Sequence, residues 1–187
     1  IYSAVGADEE TIPTDNTQYN IAETSIIKIP NQEPKKLGYT FEGWKTGTDD
    51  TVYKYGTQND TYTVPNDISG AITFIAQWSI NEYKITYELN GGINAENAPV
   101  SYTIETDTIT LPVPTKDGYN FEGWYTDAAF ENAVAAIAKG SVGDMVLYAK
   151  WSEKDMAVYK INSYEKGNVS VRKRTDTDDS SSVVIVA

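Results

Sequence analysis

The phrase GYTFEGW, Gly38 to Trp44, returns 80 residues later as GYNFEGW, Gly118 to Trp124. Such a repeat makes the chain two copies of one unit. Each copy has a second landmark downstream, AQW (Ala76–Trp78) in the first and AKW (Ala149–Trp151) in the second. All four tryptophans therefore fall at equivalent places. From first to second Trp is 34 residues in one copy (44 to 78) and 27 in the other (124 to 151), so the first copy carries seven extra. The polar segment TGTDDTVYKYGTQND, residues 46–60, accommodates them as a surface loop. Upstream, IAETSIIKIP (Ile21–Pro30) pairs with TIETDTITLP (Thr103–Pro112). A period of about 80 residues is too long for a solenoid unit and fits tandem small domains.

Charge draws the same boundaries. Residues 1–81 carry 11 acids and 5 bases, residues 82–152 carry 10 and 4, and residues 153–187 carry 6 of each. The expected division is 1–79, 80–152 and 153–187. The net charge of −12 argues against nucleic acid, whose phosphates require clustered Lys and Arg; the Arg172–Arg174 run is too short to supply them. Cys and His are both absent, which removes disulfides, thiolate or imidazole metal sites and every nucleophile–imidazole arrangement. No apolar run approaches the roughly 18 residues a spanning helix needs. The opening IYSAVGADEE has neither a start methionine nor a signal-like pattern, and reads as an interior piece of a longer protein.

Strands are legible in the second copy. YKITYEL sets Tyr83, Ile85, Tyr87 and Leu89 on one face against Lys84, Thr86 and Glu88, the alternation of a half-buried strand. It runs into Asn90–Gly92, residue types that accept tight turns. SYTIETDTITLP is a second strand region. MVLYAKW and AITFIAQW close the two copies with Trp151 and Trp78 at the end of an apolar stripe, so both are expected in the core. DAAFENAVAAIAKG, with Phe130, Val134 and Ile137, is expected to form a short helix ended by Gly140. In GYNFEGW a regular strand would put Trp124 beside Glu122 and away from Phe121. That strand exposes Trp124; a bulge at Gly123, and at Gly43 in the other copy, would reverse the parity and bury Trp124 and Trp44, and the sequence leaves the two open. The unit reads as α+β, mainly β.

The order of strand, NGG, PTKDGYNFEGWYTD, KGSVGD and LYAKW resembles the Listeria–Bacteroides repeat, also called the internalin B repeat, across residues 82–152. Residues 1–79 resemble it through GYTFEGW and AQW; IYSAVGADEE lacks the LNGG turn, which leaves the first strand of that copy unassigned. The resemblance implies two tandem domains similar to β-grasp folds, of the kind found in large bacterial surface and secreted proteins. It implies an extracellular spacer or scaffold with a contribution to adhesion, at the cell surface or cell wall, and brings no catalytic residues. The tail, AVYKINSYEKGNVSVRKR followed by TDTDDSSS and VVIVA, reads as strand, turn at Glu165–Asn168, strand, polar loop and strand. It resembles the opening of an immunoglobulin-like β-sandwich, with a β-hairpin extension as the alternative.

Candidate chemistry is sparse. Glu42 and Glu122, one in each phrase, would need a partner carboxylate at a fixed distance to act as a glycosidase pair; duplication makes them solvent-facing strand residues instead. Asp49–Asp50 and Asp176, Asp178, Asp179 lack the spacing of a calcium loop and read as solvated turns. No residue is therefore assigned to catalysis, a cofactor or a metal, and no ligand-binding set is defined. With 14 Tyr, four Trp and four Phe, exposed aromatics could stack on sugars or anchor a protein. The alternatives to a non-enzymatic module are a glycan-binding module, marked by aromatics in a groove, and an accessory region of a surface hydrolase. Partners implied are a host or cell-surface protein or glycan, without nucleic acid or membrane insertion, met by a monomer.

Overall fold

The computed structural model describes residues 1–20, 23–47 and 49–154, together with the backbone of 159–165, 168–173 and 182–185. Alternating apolar residues followed by turn residues give strands throughout, and no α-helix occurs among the described residues. The first copy contains β1 (Tyr2–Ser3), β2 (Ile26–Lys28), β3 (Tyr39–Lys45), β4 (Thr61–Thr63) and β5 (Phe74–Ile80). The second contains β6 (Tyr83–Glu88), β7 (Ser101–Tyr102), β8 (Ile109–Thr110), β9 (Tyr119–Tyr125), β10 (Ala133–Val134), β11 (Ala136–Ile137) and β12 (Met145–Glu153). The tail forms β13 (Tyr159–Glu165), β14 (Asn168–Lys173) and β15 (Ser182–Ile185), an antiparallel three-stranded sheet. Asp176, Asp178, Asp179 and Arg174 lie outside the described residues.

The second copy is a five-stranded sheet in the order β10-β9-β12-β6-β7 with a separate β8–β11 pair. Its central pair, β6 and β12, is parallel, with Ile85 opposite Met145 and Glu88 opposite Tyr148. Antiparallel β7 and β9 flank that pair. Tyr83, Ile85, Tyr87 and Leu89 all join the core, as their alternation predicts. The first copy repeats the plan in shorter form, order β1-β5-β3 with β2 on β4. IYSAVGADEE does supply its first strand: Tyr2 and Ser3 pair in parallel with Phe74 and Ile75. The ladders thus equate Tyr2 with Tyr87 and Phe74 with Leu147.

Two core clusters result, one per copy. The bulge that Gly43 and Gly123 allow is present. Phe41 pairs with Trp78 and Gly43 with Gln77, leaving Glu42 as the extra residue; Glu122 is the extra residue opposite Trp151 and Lys150. Both glycines sit at φ 139°, a conformation that L side chains rarely adopt. The parity change buries Trp44 (0% exposed) and Trp124 (3%) and brings their rings to 5.0 and 5.4 Å from those of Phe41 and Phe121. Trp78 and Trp151, expected in the core, are only partly buried and pack against its edge.

The helix expected over DAAFENAVAAIAKG does not form. Ala133 and Val134 pair with Tyr125 and Trp124, while Ala136 and Ile137 pair with Thr110 and Ile109. The segment closes two strand edges at once, and those ladders outweigh the helix propensity of its alanines, too short a run to be stable alone. In the first copy Tyr53 takes the place of Val134 through a bridge to Trp44. Nine residues separate Tyr53 from Tyr62, three separate Val134 from Ile137, and Tyr62 and Ile137 occupy matching ladder positions. Most of the seven-residue insertion therefore follows Tyr53. Tyr53 itself packs against the core, its ring 5.4 Å from Tyr62 and 6.3 Å from Phe74.

Candidate functional site

The sequence-derived carboxylates are brought to no common site. Ser79 Oγ donates to Glu42 at 2.5 Å, and Ser152 Oγ donates to Glu122, so each glutamate is exposed on its bulge and bonded to the neighbouring strand. Asp49 accepts from Thr51 N at 2.7 Å and from Tyr53 OH at 3.1 Å; Asp50 pairs with Lys45 at 3.3 Å. These are loop-closing contacts. Among the described residues no three acidic groups gather where they could hold a metal ion.

Two other places stand out. The first is the corner where the copies meet. β5 ends at Ile80 and β6 starts at Tyr83, leaving two residues between strands. Asn81 N donates to Gly38 O at 2.9 Å, and Thr40 Oγ1 donates to Asn81 Oδ1 at 2.6 Å. A turn of the second copy, closed by Thr106 N to Thr103 O at 3.1 Å, lies against this corner. Tyr39 OH donates to Glu105, and a Cβ placed on Gly38 would sit 2.7 Å from the Ile104 side chain. Lys36 Nζ stands 3.9 Å over the Tyr39 ring. The hydrogen bond to Glu105 pushes the Tyr39 phenol above its ordinary range, since ionising it would set two anions face to face. The second copy builds the same corner: Lys154 N donates to Gly118 O at 2.8 Å, and Lys116 Nζ stands 4.2 Å over Tyr119. There, however, nothing among the described residues lies within 4 Å of a Cβ built on Gly118.

The second place is a groove of ≈ 510 Å³ on the second copy, lined by Lys116, Tyr119, Phe130, Tyr148, Lys150 and Trp151 among others. Asp127 organises its rim, accepting from Glu131 N at 3.1 Å and Asn132 N at 2.8 Å; those backbone donors hold its carboxyl below the usual range. The turn leaves Phe130 at φ 58°, a left-handed conformation normally given to Gly or Asn and costing a bulky residue about 1–2 kcal/mol. Its ring meets Tyr125 edge-on at 5.5 Å, and Lys150 Nζ lies 5.1 Å from the Tyr125 centroid and 5.8 Å from that of Phe130. Lys116 Nζ donates to Asn90 O at 2.7 Å and lies 5.8 Å from the Trp151 ring. Lys150 has no acidic partner among the described residues. The first copy has Ile75 and Gln77 where the second has Tyr148 and Lys150. Sequence reasoning missed this groove because Trp151 read as core and Phe130 as part of a helix; the signal was that Lys150 replaces Gln77 within otherwise matching strands.

Comparison with known proteins agrees with the duplicated sheet. The sequence model of the Listeria-Bacteroides repeat domain matches twice, over residues 2–77 and 83–150. A protein of Evansella cellulosilytica, provisionally named a Gly-rich membrane protein, is 32% identical over 177 residues, covering 90% of this chain and 19% of its own length. Internalin H of Listeria monocytogenes is 33% identical over 144 residues, covering 74% of this chain and 24% of its own length. The chain thus spans about a fifth to a quarter of the relatives it matches. No solved structure gives a significant match. With two adjacent matches on its two sheets, the chain belongs to the Listeria–Bacteroides repeat family.

Proposed function

We propose that this chain is a non-catalytic spacer and scaffold region of a bacterial cell-surface or secreted protein, dividing at 1–79, 80–152 and 153–187 and contributing to adhesion through repetition. The observation that carries the reading is the corner between copies. Two residues separate β5 from β6, and one of them is bonded to Gly38 and Thr40. Ile104 and Glu105 then rest on Gly38 and Tyr39. Domains joined by longer linkers move freely; this joint holds one angle, which is what a spacer requires. Linked modules held at fixed spacing raise effective concentration at a multivalent surface. The strong negative charge keeps such a region soluble and away from anionic membranes.

Because the chain has no cysteine, Gln58→Cys and Asn97→Cys introduce one spin label in each copy, both at exposed positions. The label-to-label distance distribution is expected to be narrow. Gly38→Ala broadens it, because the new Cβ displaces Ile104. Gly118→Ala bears the same left-handed strain, φ +78° against +77°, but leaves the joint alone and the distribution narrow. Tyr39→Phe removes only the bond to Glu105 and gives an intermediate width. A broad distribution in the parent chain, or equal broadening by both alanines, refutes a fixed joint. Turnover of glycosidase, protease or esterase substrates, lost on Glu42→Gln or Glu122→Gln, overturns the non-catalytic reading.

A further inference from the structure

Going beyond the spacer reading, and independent of it, we infer that the groove beside Phe130 on the second copy is a binding site for an anionic sugar, one carrying a carboxylate or a phosphate. Three observations converge. Phe130 occupies a left-handed position where glycine would be unstrained, so the chain holds an aromatic ring there against its backbone preference. Strain of this kind persists where the side chain is needed, and here it adds a fourth aromatic to a groove already lined by Tyr119, Tyr148 and Trp151.

Two cations share the same groove. Lys116 Nζ donates to Asn90 O, and Lys150 Nζ lies over the rings of Tyr125 and Phe130; neither has an acidic partner among the described residues. In a chain with 27 acids and 15 bases, a lysine left without an acidic partner beside a concave surface favours an anion. The aromatic faces accept the apolar C–H faces of a sugar ring while the ammonium groups bond its charged substituent.

The site is also local to one copy. The first copy keeps Lys36, Tyr39 and Trp78 at the matching corner but has Gln77 for Lys150 and Ile75 for Tyr148, with Ile104 of the next copy against its glycine. A feature required only for folding the repeat would recur in both copies. This one does not.

The probes are tetragalacturonate for the carboxylate source, glucose 1-phosphate for the phosphate source, and cellotetraose as neutral comparator, each titrated into the whole chain. Backbone and indole NMR shifts and melting temperature are recorded. Shifts centred on Lys150, Phe130 and Trp151 with at least one anionic probe, weakened by salt and absent with cellotetraose, are expected. Lys150→Gln, which copies the first repeat, lowers affinity about tenfold, the loss of one charge-assisted hydrogen bond. Phe130→Gly raises the melting temperature by relieving the strain and at the same time reduces binding. If no anionic probe binds, if cellotetraose binds as tightly, or if Phe130→Gly leaves affinity intact, the site is refuted. A lowered melting temperature in Phe130→Gly, whatever the binding, would show the ring held in place by packing and overturn the argument from strain.

Discussion

Trp44 and Trp124 occupy one position in two copies, yet their indole nitrogens fare differently. Trp124 Nε1 donates to Pro112 O at 2.7 Å, whereas Trp44 Nε1 is buried without a hydrogen-bond partner. The same holds one strand away: Tyr87 OH donates to Pro99 O at 2.9 Å, while Tyr2 OH is buried and unpaired. Burial first, then the charge of Asp15 and of Tyr19, pushes the Tyr2 phenol up to about 12. An unpaired buried donor forfeits the hydration it had in the unfolded chain. Trp124→Phe is therefore expected to destabilise its copy by about 1–3 kcal/mol beyond any loss of packing, because it strands the Pro112 carbonyl. Trp44→Phe strands nothing and should cost clearly less. Chemical denaturation of the two variants measures the difference; an equal loss in both would mean that the indole bond contributes nothing.

Among elements, the site of the bulge was legible and the helix was not. Strict alternation puts Trp124 beside Glu122, and the glycine between them is the residue able to reverse the parity, so GYNFEGW allowed both an exposed and a buried Trp; the register of β9 on β12 chose burial. For DAAFENAVAAIAKG the local signal was real, since alanine favours helices. What decided against it lies elsewhere in the chain, in the unpaired edges of β8 and β9 that Ala133–Ile137 completes. Register between distant strands cannot be read from a window of a dozen residues. The groove stayed hidden for a related reason: whether an aromatic faces the core or its rim depends on the turn that carries it. The two bulges also differ in their surroundings. A Cβ on Gly43 would meet Val52 at 2.5 Å and the Tyr53 carbonyl at 2.8 Å, whereas on Gly123 its nearest neighbour is Tyr125 at 3.8 Å. Both alanine variants bear the φ penalty of about 1–2 kcal/mol, and Gly43→Ala should lose more, with Trp44 forced from its seat. Thermal melts monitored by tryptophan fluorescence test the order; greater loss in Gly123→Ala would contradict the bulge geometry.

For the molecule as a whole, the repeated phrases made the duplication plain, and the two core clusters follow it. Each copy takes in the chain through one strand of a parallel pair, β1 on β5 in the first and β6 on β12 in the second, and returns it through the other. Parallel strands run the same way, so the entry and exit points lie at opposite ends of the sheet. When such a chain is pulled by its ends, as a tethered surface protein is in flow, the two parallel strands are drawn past each other along their length. Their ladder hydrogen bonds are then loaded together in shear, not peeled one by one, and the repeat gives way only when the whole ladder fails. The second copy opposes four registered pairs, Ile85–Glu88 on Met145–Tyr148, where the first opposes two, Tyr2–Ser3 on Phe74–Ile75. Stretched singly between a surface and a probe, a chain should show two rupture events, the weaker from the first copy. Thr86→Pro should lower the stronger one, because Lys84 N faces Asp144 on the β12 side while Ile85 N bonds Val100 O, so the alternation of the strand turns the Thr86 N–H toward β12. Rupture in the opposite order would deny the parallel pair its part in bearing tension.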